Sequence, residues 1–140
     1  SRAAIDNLRA VPVNVADAVR DKVEHFKQST GASCDLDISM TENQLTPEVI
    51  DHAMNILSES LTNISRHAQA TQVKVELFIQ NKTLELEVRD NGNGFDVTQQ
   101  AKGHYGLVGM RERARLTGGM LSIESDVNGT CVLFIVGSEA

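Results

Sequence analysis

Two alternating segments joined by a short turn constrain the fold of this chain more than any other feature. Successive side chains of a strand point to opposite faces, so apolar residues at every second position predict a strand with one buried face. This pattern holds over residues 73–79 and again over residues 84–88, on either side of Asn81-Lys82. The two segments therefore predict a β-hairpin, and one face of its sheet must be covered by other parts of the chain.

Three helices are predicted to provide that cover. The first follows Asn14 and ends at Gly31, residues that favour a helix N-cap and a helix C-terminus. The second begins at Thr46-Pro47, where a capping hydroxyl precedes a proline at the first helical position. The predicted helices span residues 15–30, 47–68 and about 107–117.

Three further strands complete the predicted sheet. The segment CDLDI at residues 34–38 alternates apolar and acidic residues, and Leu121 and Ile123 mark another strand. The turn Asn128-Gly129 leads into TCVLFIV, an unbroken apolar run that predicts a central strand covered on both faces. The chain is therefore predicted to be an α+β protein, a mixed sheet with helices packed on it.

Length and charge restrict the possible functions. The chain has 140 residues, of which 41% are hydrophobic, so we expect one domain at 14–140 preceded by a linker at 1–13. A net charge of −6 argues against a nucleic-acid surface. The absence of a bilayer-length apolar run and of a signal peptide predicts a cytoplasmic domain without direct membrane contact, even if a longer parent protein is membrane-anchored. Cys34 and Cys131 are predicted to be reduced and buried.

A polar ridge runs along the predicted second helix. Glu59, Asn63 and His67 recur at intervals of four residues and so share one side of the helix, with Arg66 beside them. The acid and the amide offer the oxygen ligands that Mg²⁺ prefers, and the basic groups suit phosphate oxygens. A solvated helix face would give the same pattern, so the ridge alone does not decide between these interpretations.

Asp90 continues the inward alternation of the second hairpin strand, so its carboxylate is predicted to point into the core. A buried carboxylate is costly unless hydrogen-bond donors meet it, and an exocyclic amine with a ring-bound water would do so. The following NGNGF segment, residues 91–95, lets the backbone approach a flat ligand closely. A plain hairpin turn has the same composition.

A second glycine-rich segment, GHYGLVGM at residues 103–110, leads into the predicted third helix. Backbone amides and the helix dipole at such a point attract phosphate. The segment is not a Walker P-loop, because no GK[ST] follows it. Across the sheet, Thr130 is expected to extend its hydroxyl towards the Asp90 carboxylate or towards a water bound there.

The order and spacing of these elements resemble a known family. The segments ESLTNISRHA, DNGNGF, GHYGLVGMRERA and NGT are similar, in that order, to the N box and successive glycine boxes of the Bergerat-fold ATPases. The phrase GMRERARLTGG resembles the nitrate-sensor-type subfamily of bacterial sensor histidine kinases. The resemblance covers roughly residues 15–136. One departure is the second glycine box, which is GHYGLVGM and not the GxGLGL of the commoner kinase classes.

The resemblance implies a two-layer α/β sandwich with helices on one face of a mixed sheet and with ATP held under a lid at residues 97–106. It implies that Asp90 receives the adenine amino group, that Gly92 and Gly94 let the ring lie close, and that Thr130 joins the water network at adenine.

The resemblance also implies the groups that handle phosphate and metal. Asn63 would hold Mg²⁺ with Glu59 beside it, and these two are the implied catalytic residues. The implied phosphate contacts are Arg66, His67, Gly103, His104, Gly106 and Leu107.

The activity implied by the resemblance is transfer of the γ-phosphoryl group of ATP to a histidine on a dimerising helix hairpin, and then to an aspartate of a response regulator. All the histidines of this chain lie within the predicted catalytic domain, so we do not expect the acceptor here. Three alternatives stay open: a hydrolytic clamp of the same fold in which Glu59 activates water, a serine kinase of the anti-sigma-factor type, and a degenerate domain that binds nucleotide or a partner without chemistry.

Overall fold

The computed structural model describes residues 14–43, 45–97 and 106–137. The predicted linker at residues 1–13 lies outside this part of the chain, and so does most of the predicted lid, including Gly103 and His104.

Three helices and five strands form the described structure. The helices begin and end as their sequence signals predict: the side-chain oxygen of Asn14 accepts hydrogen bonds from the amides of Ala16 (2.9 Å) and Asp17 (3.4 Å), and Thr46 caps the second helix. The last turn of the second helix is a π-helical turn. The elements are α1 (Val15–Thr30), β1 (Ser33–Asn43), α2 (Pro47–Asn63), the π-turn (Ile64–Ala68), β2 (Gln72–Asn81), β3 (Thr83–Asp90), α3 (Leu107–Thr117), β4 (Met120–Asp126) and β5 (Gly129–Gly137).

The strands form one mixed sheet in the order β1-β2-β3-β5-β4. β1 and β2 are parallel, and α2 lies in the crossover connection that a parallel pair requires. The other neighbouring pairs are antiparallel, and β2 and β3 form the predicted hairpin. β3 therefore lies at the centre of the sheet, and its last residue, Asp90, pairs with Val73 on β2 and with Thr130 on β5.

All the buried strand residues share one face of the sheet and pack with α1, α2 and α3 in a single hydrophobic core. Phe134 on β5 is completely buried in this core. The predicted α+β class, a mixed sheet with helices on one face, is confirmed.

The prediction that β5 is covered on both faces is wrong. Leu133 and Ile135, which alternate with Phe134, are only half-buried, because the described helices all pack on the opposite face. Cys131 lies on the same outer face of β5 and is half-buried, although it was predicted to be buried. Cys34 is buried as predicted. Neither cysteine forms a disulfide. The apolar run of β5 thus reflects strand propensity and partial cover on the outer face.

Paired substitutions on β5 test the one-sided core. Phe134→Ala is expected to lower the free energy of unfolding by about 3–5 kcal/mol, because it leaves a cavity among fully buried neighbours. Ile135→Ala, one residue further and on the outer face, is expected to cost about 1–2 kcal/mol, because its side chain is already half exposed. Urea unfolding of both variants gives the comparison, and equal losses would mean that both faces of β5 are covered.

Candidate functional site

A narrow pocket opens between the carboxyl-terminal end of α2, the start of α3 and the inner face of the sheet. Its walls are largely apolar, formed by Val88 and Val132 of the sheet and by Ile64, Leu107 and Met110 of the helical layer. Five polar side chains also line it: Ser60, Asn63, His67, Asp90 and Thr130. An apolar pocket with a few converging polar groups is the usual form of a small-molecule site.

Asp90 carries the only buried carboxylate of the described residues, with 7% of its surface exposed. Its inward orientation follows from the alternation of β3 and confirms that part of the sequence prediction. Burial raises the pKa of this carboxyl above its usual value, while backbone hydrogen bonds from Gly92 and Thr130 act in the opposite direction. The Gly92 amide donates to Oδ1 at 2.7 Å, so Gly92 supports the carboxylate through its backbone.

The loop after Asp90 is held against the β4-β5 hairpin. Gly94 has φ 74, and a Cβ at this position would clash with the backbone carbonyl oxygen of Asp126. Only glycine fits there without displacement of the loop. The amide of Phe95 donates to Oγ of Ser125 at 2.8 Å, and Ser125 Oγ lies 2.7 Å from Oγ1 of Thr130. The hydroxyls of Ser125 and Thr130 thus connect the loop to the strand that pairs with Asp90.

The side chains of the polar ridge on α2 lie in three different places. Asn63, 8% exposed, lines the pocket together with His67. Arg66 does not line it and instead borders a separate groove between α1 and α2, beside Lys22 and His25.

Glu59 lies at the entrance to α3 and outside the residues that line the pocket. A Cβ on Gly106 would clash with the Glu59 carboxylate, and Gly106 has φ 59 at the N-cap of α3. Gly106 has no side chain that could cap the first turn of α3. Leu107, the next residue, is buried and forms part of the pocket wall.

Sequence reasoning missed three polar residues around the pocket. Ser60 is buried on the pocket wall, where its hydroxyl donates to the carbonyl oxygen of Ile56 at 2.8 Å. Ser125 was detectable, because it continues the inward alternation of Leu121 and Ile123 on β4. Asn91 had no comparable signal, since its contacts are with the distant β2 strand.

The family of the chain follows from a comparison with family models. Residues 48–139 match the model described as histidine kinase-, DNA gyrase B-, and HSP90-like ATPase. Because that match spans most of the chain and includes the whole pocket, the chain belongs to this family of ATPases.

Relatives within the family are bacterial sensor kinases. The chain is 38% identical over 106 residues to the sensor histidine kinase YdfH of Bacillus subtilis, covering 74% of this chain and 26% of that protein. It is 31% identical over 137 residues to the signal transduction histidine-protein kinase/phosphatase DegS of Brevibacillus brevis, covering 96% and 34%. The chain thus spans about a third or less of the length of these relatives.

Solved structures share the fold at lower identity. The histidine kinase domain of the Erythrobacter litoralis EL346 blue-light activated histidine kinase has a TM-score of 0.66 at 20% identity, over 87% of this chain and 63% of that one. The mycobacterial sensor histidine kinase MprB has a TM-score of 0.65 at 15% identity, over 89% and 96%. Among the residues described here, no helix has the length and apolarity needed to cross a membrane.

The raised pKa of Asp90 predicts a specific dependence of stability on pH. The folded state holds this proton more tightly than the unfolded state, so the stabilising contribution is complete below the unfolded pKa of about 3.8 and is lost as pH rises through the folded pKa. Asp90→Asn does not titrate. The stability of this variant relative to the parent chain should therefore increase from pH 4 upwards and then level off. Urea unfolding across this range measures the difference, and a difference that does not vary with pH would contradict the assignment.

Proposed function

We propose that this chain binds Mg²⁺·ATP and donates the γ-phosphoryl group to a histidine on a partner helix, from which it passes to an aspartate of a response regulator. The observation that carries the proposal is the buried Asp90 carboxylate at one end of an apolar pocket whose other wall bears Asn63 and His67. The site thus has an acceptor for a base at one end and polar groups for phosphate and metal at the other.

Adenine suits the Asp90 end of the pocket. Its ring is flat and apolar on both faces, which matches walls such as Val88 and Val132, and its amino group is a donor for a carboxylate. The Gly92 amide already donates one hydrogen bond to Oδ1 of Asp90. The amino group of the ligand would donate a further hydrogen bond to the same carboxylate. Guanine has a carbonyl oxygen in place of the amino group and would oppose an acceptor with an acceptor.

The residues present fit Mg²⁺ only as a partner of nucleotide. No cluster of three or more His, Cys, Asp or Glu side chains is found in the described ranges, so the protein itself offers no complete metal cage there. Mg²⁺ commonly binds through one or two protein oxygens plus waters and substrate phosphates, and Asn63 offers an amide oxygen on the pocket wall. The bound ion would neutralise charge on the phosphate chain.

The remaining residues would act by positioning. His67 lines the pocket beside Asn63, and the first turn of α3 begins at its edge, which supports a role of both in binding phosphate. Glu59, in contact with Gly106, would orient the start of α3. Its role as a catalytic residue beside Mg²⁺ stays a prediction. Arg66 would need a different rotamer to contribute. Gly103 and His104 remain proposed phosphate contacts outside the described residues.

The names of the relatives support histidine as the acceptor. YdfH and DegS are sensor histidine kinases, and this chain matches only a part of each. We propose that this chain acts as part of a longer kinase in which the dimerisation helices, with the acceptor histidine, precede residues 1–13. We also propose that this domain binds no nucleic acid and makes no direct contact with a membrane. The narrower placement in the nitrate-sensor-type subfamily stays a prediction.

Nucleotide selectivity tests the base end of the pocket. Calorimetric titration should show that the chain binds ATP more tightly than GTP. Asp90→Asn should lose about 2–3 kcal/mol of ATP-binding free energy, because it presents a donor to the adenine amine. Asp35→Asn, an exposed position on the outer face of β1, is the matched control and should bind ATP as the parent chain does. Equal affinity of the parent chain for GTP and ATP would remove adenine recognition from the proposal.

Phosphoryl transfer tests the reaction. The chain should bind γ-labelled ATP without labelling itself, and should label a separate helix hairpin that carries the acceptor histidine, slowly because the tether is absent. Transfer should require Mg²⁺ and fall at least tenfold in Asn63→Ala. Asn55→Ala alters an exposed asparagine on the same helix and should change nothing.

The chemical form of the label separates the alternatives. Phosphohistidine is acid-labile, so acid-stable label on the chain or on a serine-bearing partner would favour a serine kinase. Steady phosphate release without an acceptor would favour the hydrolytic clamp. ATP binding with neither outcome would favour a domain without chemistry.

A further inference from the structure

Asn91, the residue directly after Asp90, joins the loop that follows β3 to the segment that leads into β2. Its Oδ1 accepts hydrogen bonds from the backbone amides of Thr71 and Gln72, each at 3.0 Å. Its Nδ2 donates to Oγ1 of Thr71 at 3.1 Å, and its own backbone amide donates to the carbonyl oxygen of Gln72 at 3.2 Å. Four hydrogen bonds thus join this one residue to Thr71 and to Gln72, the first residue of β2.

The segment that Asn91 holds is the continuation of the π-turn. His67 lies in that turn, and only three residues separate it from Thr71, which directly precedes β2. Gln69, within this connection, has φ 52, a left-handed conformation that costs energy for a residue other than glycine and needs support from its surroundings. A second side chain of the same loop, Asn93, donates to Oε1 of Gln69 at 3.3 Å.

These contacts join the segment that follows one end of the pocket to the segment that follows the other end. Asp90 precedes Asn91 in the chain, and Asn63 and His67 precede the connection that Asn91 binds. We propose that Asn91 is a positioning residue for the nucleotide: it fixes the distance between the Asp90 carboxylate and the end of α2 that carries Asn63 and His67. The proposal rests on the proposed function, because it assumes that a nucleotide spans both ends.

A purely structural role would predict a different balance of effects. Asn91 and Thr71 are both exposed, so water can replace the hydrogen bonds that a substitution removes, and the loss of stability should be modest. Positioning errors are more damaging, because a displacement of about 1 Å in a binding site can change rates about a hundredfold. Binding should therefore respond more strongly than folding does.

Aspartate offers a conservative replacement for Asn91. A carboxylate oxygen can accept from the amides of Thr71 and Gln72 in the same way, and the Thr71 hydroxyl can reverse its role and donate to the second oxygen. Alanine removes all three side-chain bonds. The comparison of Asn91→Asp with Asn91→Ala thus separates the hydrogen bonds from the shape of the side chain.

The experiment measures the ATP dissociation constant by calorimetry, at 0.15 M salt and well below the melting temperature of each variant. Asn91→Ala should weaken ATP binding about tenfold and reduce the preference for ATP over GTP. Asn91→Asp should stay within about threefold of the parent chain, since salt screens the added charge. Hydrogen exchange at the amides of Thr71 and Gln72 should accelerate in Asn91→Ala and not in Asn91→Asp. Asn55→Ala, which removes one hydrogen bond made by an exposed asparagine of α2 outside the pocket, is the matched control and should bind nearly as the parent chain does.

Thr71→Val serves if Asn91→Ala does not fold. It removes only the acceptor for Nδ2 and should weaken binding about twofold to threefold with faster exchange at the two amides. Unchanged ATP affinity in Asn91→Ala, or in Thr71→Val where the former does not fold, would overturn the positioning role and leave the proposed function intact. A parent chain that binds no ATP would overturn both.

Discussion

The burial of one carboxylate at the end of the central strand organises the rest of this structure. Asp90 is placed in the core by the alternation of β3, and its charge is tolerated because backbone amides of Gly92 and Thr130 donate to it. Those donors require the chain to turn directly after the strand and require β5 to pair with β3 to its last residue. The glycine loop and the β4-β5 hairpin therefore have to meet at this point, and the pocket forms where they do.

Local patterns were sufficient to predict most of the fold. The hairpin of β2 and β3, the cap at Asn14 and the helix start at Thr46 depend on residues that are close in sequence, so propensity and periodicity identify them. The inward orientation of Asp90 was predictable for the same reason. Which faces of β5 are covered could not be predicted, because an apolar strand does not show how many layers pack against it. Ile135 lies on the outer face and is only half-buried.

The parts of the site that sequence did not predict depend on relations between elements. Helical spacing grouped Arg66 with His67 in the sequence analysis. In the structure His67 lies on the side of the pocket and the sheet, whereas Arg66 lies on the side of α1. Asn91 forms hydrogen bonds with Thr71, which lies twenty residues earlier, and the sequence around Asn91 does not predict this partner. The resemblance to Bergerat-fold ATPases supplied candidates for ligand contact, and it gave no candidates for the residues that hold those side chains in place.

An acidic chain must still accommodate a polyphosphate, and the one-sided sheet explains how this is possible. Many of the strand carboxylates occupy outer-face positions, opposite the helices: Asp35, Asp37, Glu76, Glu85, Glu87 and Glu124. Packed layers are about 10 Å apart, so these charges lie farther from the pocket and repel a bound anion less than charges on the pocket wall would. Near the pocket the local field comes from the amides at the start of α3, any bound cation and the Glu59 carboxylate beside Gly106. Asp90 is the exception, and it lies at the end of the pocket suited to an uncharged base.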